Sequence, residues 1–87
     1  TIALAPARLD ALAGAYRFER GPRIVITREG DALVAQVDGQ RAYQLVAESE
    51  TRFWFRVLAG HSIVFEPGAT ALHYERDGSS ARAVRDR

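Results

Sequence analysis

The feature that most constrains this chain is its punctuation. Short extended runs alternate apolar and polar residues, and each run is closed by a turn signal roughly 8–12 residues after the last. The breakers are Gly21-Pro22, Gly30-Asp31, Asp38-Gly39, Glu48-Ser49-Glu50, Ala59-Gly60, Pro67-Gly68 and Asp77-Gly78. Between them lie Tyr16–Glu19, Arg23–Glu29, Ala32–Val37, Arg41–Ala47, Arg52–Val57, His61–Glu66, Thr70–Arg76 and Ser80–Val84. Eight such runs predict an antiparallel meander. Closing the meander into an up-and-down β-barrel removes the exposed edges an open sheet would carry.

Period two supports closure. Ile24/Ile26, Leu33/Ala35/Val37, Tyr43/Leu45, Phe53/Phe55/Val57, Ile63/Phe65 and Leu72/Tyr74 form rows that can all face one interior. Ahead of the strands, PARLDAL has a proline suited to a first helical turn, with Gly14 as a stop. A short helix over about 6–13 is expected, plugging one mouth with Leu9 and Leu12. The fold class is therefore mainly β, an approximately eight-stranded antiparallel barrel with strands from about 16 to 84. A chain of 87 residues fits one domain, 1–87.

Composition excludes several chemistries. There is no cysteine, and all 12 basic residues are arginine. Disulfides, thiolate sites, Schiff bases, Ser-Lys dyads and P-loop lysines are thus absent. The two histidines, His61 and His73, read as unliganded surface residues; a zinc site would need Glu66 or Glu75 beside them. Ser49, Ser62, Ser79 and Ser80 read as solvated or turn-bonding hydroxyls, and Glu48 and Glu50 as solvated carboxylates. The glycines fall one per turn and form no phosphate cradle. No catalytic residue, metal site or cofactor is expected. A net charge of +1, with charges interspersed, argues against nucleic acid as a partner. No apolar run reaches the length of a transmembrane segment. The opening TIALAPARLDALAG does not read as an intact signal peptide, and the chain is expected to begin where a preceding segment was removed. The closing Arg85-Asp86-Arg87 reads as a frayed end.

The stretch RFWFRV carries the sharpest question. Parity sends Phe53, Phe55 and Val57 inward and leaves Trp54 outside between Arg52 and Arg56. An outward tryptophan with arginine neighbours matches the composition of protein-protein hot spots. Two readings stand side by side: a partner interface at Arg52, Trp54 and Arg56, or a Trp54 covered by the helix or stacked on its own arginines. The aromatics Tyr16, Phe18, Tyr43, Phe53, Phe55 and Tyr74 are the candidate lining of a cavity for a small hydrophobic ligand. A cavity of about 300 Å³ or more would favour such a binder.

Leu9-x-x-Leu12-x-Gly14-x-Tyr16, Arg28-Glu29-Gly30-Asp31-x-Leu33-x-Ala35-Gln36, LVAESETRFWF over Leu45–Phe55, Ile63-x-Phe65, Leu72-His73 with Gly78, and a terminal Ala-x-Arg stretch occur in one order. Together they resemble the lipocalin-like C-terminal accessory domain of β-lactamase-related, penicillin-binding-protein-like serine hydrolases. The resemblance runs from Leu9 to about Arg85. It implies a lipocalin-like barrel that modulates substrate access or assembly of a serine hydrolase domain in cis, or that pairs with a second copy. It also implies a bacterial, periplasmic or secreted setting. The family's Ser-x-x-Lys and Tyr-x-Asn motifs belong to the other domain and have no counterpart here, so no catalytic residue carries over. A stand-alone small-molecule-binding barrel is the alternative.

Overall fold

The computed structural model describes residues 2–86. One helix, α1 (Pro6–Leu12), precedes eight strands: β1 (Gly14–Phe18), β2 (Arg23–Glu29), β3 (Ala32–Val37), β4 (Ala42–Ala47), β5 (Arg52–Phe55), β6 (His61–Phe65), β7 (Ala71–Arg76) and β8 (Ser79–Arg85). Each strand pairs antiparallel with the next, and β8 returns to β1 to close the barrel. The closing register sets Tyr16 against Arg85 and Phe18 against Ala83.

Alternation sorts the side chains as period two dictates. Ile24 and Ile26, Leu33 and Ala35, Leu45, Phe53 and Phe55, Ile63 and Phe65, Leu72 and Ala83 are all buried. Cross-strand partners such as Phe53 with Ile63 and Leu72 with Ala83 place a bulky residue beside a smaller one. An eight-stranded barrel is just wide enough for side chains packed in this way to fill it.

Hairpin geometry follows the turn residues. At Asp77-Gly78 both residues have positive φ, 46° and 84°, the backbone of the two-residue hairpin turn that matches strand twist. Gly14 has a different role. It does not merely stop the helix but opens β1, and a Cβ there would lie 2.9 Å from Nη2 of Arg85.

The helix has seven residues and no side-chain cap, too short to persist alone. Burial holds it: Leu9 and Leu12 are 2% and 0% exposed and close one end of the barrel as expected. Asp10 adds an ion pair to Arg28 of β2 at 2.6 Å. At that same end β3 and β4 diverge, since their register pairs span only Val34–Gln36 with Ala42–Gln44. Ile2–Leu4 run beside the divergence, where the Ile2 amide donates to the Ala47 carbonyl at 3.1 Å.

Three expectations need correction. Val57 does not continue the inward row: β5 ends at Phe55 and the chain turns at Arg56-Val57, which leaves Val57 74% exposed. Ser62 is not solvated; it is 4% exposed on β6, between Trp54 and Glu75 in the register. Arg85 and Asp86 do not fray. Arg85 belongs to β8, and the Asp86 amide donates to the Ala15 carbonyl at 2.8 Å while its carboxylate accepts from Arg17 and Arg23. Arg87, the last residue of that expected frayed end, lies outside the described residues.

Candidate functional site

The six aromatics proposed as one cavity lining divide between the two ends of the barrel. At the helical end Phe65 contacts both Tyr16 and Phe53 edge-on, with ring centroids 5.8 and 5.6 Å away. All three rings are essentially without solvent exposure. Tyr16 and Phe65 form packed core, and Phe53 packs with them while also bordering the hollow between β3 and β4. The Tyr16 hydroxyl donates to the Leu12 carbonyl at 2.7 Å. Burial raises the Tyr16 pKa, and the nearby Arg85 charge only partly opposes this. Arg85 lies over the Tyr16 ring and donates to the carbonyls of Ala11, Ala13 and Ala69 and to the Tyr16 hydroxyl. One guanidinium thus holds the helix end, β1 and the turn before β7 together.

Among the described residues no helix covers the opposite end. There Phe18, Tyr43, Phe55 and Tyr74 gather with His61. Tyr74 sits 5.3 Å from Phe55 and 6.3 Å from Phe18, and Tyr43 is 5.9 Å from Phe55. Phe55 is buried, whereas Phe18, Tyr43, His61 and Tyr74 are half-buried. His61 is therefore not a bare surface histidine: its Nδ1 lies 2.7 Å from the Tyr74 hydroxyl. Desolvation raises the Tyr74 pKa, with Arg76 pulling it back and Tyr43 adding to the rise. An open cleft of about 250 Å³ lies at this mouth. Phe18, Val37 and Tyr74 form its apolar wall, and Gln40, Arg76 and Ser80 contribute polar groups. A larger hollow of about 450 Å³ sits at the β3–β4 divergence against Ile2–Leu4.

The outer face carries the RFWFRV question. Trp54 is 44% exposed and is not covered by the helix. The Arg52 guanidinium lies 5.9 Å from the Trp54 ring centre and also pairs with Glu75 at 3.2 Å. Arg56 is past the end of β5, where it borders grooves lined by Gln44 and Val46 on one side and Arg41 and Tyr43 on the other. Arg52 and Trp54 form a contacting pair, and Arg56 stands apart from it.

His73 is likewise engaged. Its Nε2 lies 2.8 Å from Glu66, and Arg82 grips the same carboxylate through Nε and Nη2 at 2.7 and 3.1 Å. The Arg82 hydrogen bonds, with His73 contributing, hold the Glu66 pKa down to about 2 from 4.5. A carboxyl depressed in the folded state adds stability that is complete above the unfolded value near 4.5 and drains as pH falls through about 2. Glu66→Gln is expected to flatten that acid limb in pH-dependent urea unfolding; an unchanged limb contradicts the pairing. Among the described residues no three His, Asp or Glu side chains gather as a metal site. Ser49 accepts hydrogen bonds from the Thr51 and Arg52 amides, a turn-bonding role, and the buried Ser62 hydroxyl faces Glu75 at 3.4 Å. No helix among the described residues is long and apolar enough to cross a membrane.

Fold and site together define a class: a small closed antiparallel barrel with one mouth plugged by a helix and the other left open and aromatic. Compared with protein-family models, curated proteins and solved structures, the chain matches none of them.

Proposed function

We propose that this chain is a non-catalytic interaction module, an accessory barrel of a β-lactamase-like serine hydrolase that docks through its outer face. The observation that carries the reading is Trp54, 44% exposed on the outside of a barrel whose helical end is filled by Tyr16, Phe53 and Phe65. A partner covering Trp54 and the stacked Arg52 gains apolar area, and at such a site the guanidinium keeps its charge pairing with Glu75. The sequence resemblance supplies the partner's class, a serine hydrolase domain in cis, with a second copy of this chain as the other candidate occupant.

The test begins with the native polypeptide. An antibody to the barrel should reveal a band several times larger than 9.6 kDa, with upstream peptides carrying a Ser-x-x-Lys motif. In that polypeptide Trp54→Ala should change hydrolase activity or assembly. A band near 9.6 kDa removes the partner in cis. A mass in solution equal to one chain, unaltered by Trp54→Ala, then removes the second copy as well.

A second reading, a small-molecule-binding barrel, draws on one specific observation: the half-buried aromatic cluster beside the open cleft of about 250 Å³. This volume falls below the roughly 300–1,000 Å³ of pockets for drug-sized ligands. Any ligand there is correspondingly small.

A further inference from the structure

We infer that the open mouth is a binding site for a small aromatic carboxylate, one ring bearing one negative charge. The inference rests on the small-molecule reading of the barrel and is independent of docking at Trp54.

Strand parity brings the necessary groups together. On β7 the inward row runs Leu72, Tyr74 and then Arg76, so the arginine reaches the mouth as the last member of a row that is otherwise core. Arg76 is exposed, lines the cleft, and has no ion-pair partner among the described residues. Its charge is felt at the Tyr74 hydroxyl. Among the described residues no carboxylate lines the cleft. A guanidinium without a partner beside an apolar wall favours a planar anion, which it can grip through two parallel hydrogen bonds.

The wall selects the remainder of the ligand. Phe18 and Tyr74 present ring surface, and Val37 and Ala81 complete an apolar slot. Such a slot takes a ring by edge or offset stacking. The Tyr74 hydroxyl can add a second donor. When His61 Nδ1 carries the proton it donates to the Tyr74 oxygen, and the phenol proton is then available to a carboxylate in the cleft. Gln40 and Ser80 supply further polar atoms at the rim. A cleft of about 250 Å³ is wide enough to seat one ring against this wall.

The experiment is an NMR titration of the 87-residue chain with benzoate, benzamide and acetate as probes. Benzoate is expected to bind saturably with a Kd on the order of 1 mM, as suits so few heavy atoms. The shifted amides should cluster at Phe18, Tyr74, Arg76 and Ser80. Benzamide and acetate should each bind about tenfold more weakly, because each lacks one of the two features. Arg76→Gln should cost benzoate tenfold or more with an unchanged melting temperature, and Arg76→Lys should recover part of it. Equal binding of benzamide and benzoate at this mouth would overturn the anionic class while leaving a small-molecule site. An absence of saturable shifts with all three probes would overturn both. Full benzoate affinity in Arg76→Gln would remove the arginine from the site.

Discussion

The two mouths of this barrel are built from the same kinds of residue and put them to opposite uses. Each has an aromatic cluster, a tyrosine hydroxyl in a short hydrogen bond, and an arginine at the end of an inward-facing row. At the helical mouth Arg85 donates to four oxygens and Tyr16, Phe53 and Phe65 are shut away from water. At the other mouth Tyr74 and Phe18 are half-buried, and Arg76 is exposed without an ion-pair partner among the described residues. What separates them is cover. A seven-residue helix supplies carbonyl groups for one arginine and leaves the other facing solvent. An arginine ending a core row is therefore structural where backbone acceptors surround it and available for a ligand where none do.

The contrast can be broken by substitution. Phe65→Ala at the closed end should cost about 3–5 kcal/mol in urea unfolding, since the buried ring contacts both Tyr16 and Phe53 and its loss leaves a cavity. A loss below about 1 kcal/mol would mean that this end repacks freely. Arg85→Ala should cost about 2–3 kcal/mol, because the carbonyls of Ala13 and Ala69 and the Tyr16 hydroxyl lose a charged donor. Lysine at this position should recover less than half, as a single ammonium cannot reach acceptors on three elements.

Smaller effects belong to the open end. Tyr74→Phe removes one hydroxyl bonded to His61 and should cost about 1 kcal/mol in the same assay. A cost matching that of Arg85→Ala would show the open mouth to be as integral to the fold as the closed one. Arg76→Ala should change stability by no more than about 0.5 kcal/mol. A larger loss would mean that Arg76 is held by the fold and would erase the asymmetry.

Local pattern made the strands legible because turn chemistry and alternation are local. Asp77-Gly78 declares its hairpin, Pro6 its helix start, and Ile24/Ile26 their shared face. The interior was legible for the same reason, except at Val57, where the row outran the strand. The site was far less legible. Whether Tyr16 and Tyr74 share a pocket or sit at opposite ends depends on how the barrel closes, and closure is set by the distant pairing of β1 with β8. Arg85, read as part of a frayed end, follows the parity of Ala81 and Ala83, as Arg76 follows that of Leu72 and Tyr74. Counting parity one step past the last apolar residue would have placed both arginines at the mouths. It would not have told them apart, since the helix end and the turn before β7 that supply acceptors to Arg85 come from other parts of the chain. His61 was read as exposed but is half-buried, and the partners of His61 and His73, Tyr74 and Glu66, were not legible because they come from neighbouring elements.

The seam where β8 meets β1 has a consequence for how the molecule assembles. Seven of the eight pairings join consecutive strands and close short loops; the eighth joins Tyr16–Phe18 to Ala83–Arg85 across nearly the whole chain. Loop-closure entropy falls on this one step, so consecutive hairpins are expected to form early and the seam last. The Arg85 clamp on the helix end can form only after the seam does. Substitutions at Arg85 should then accelerate unfolding and leave the refolding rate nearly untouched, which makes this one side chain a latch on the lifetime of the native barrel.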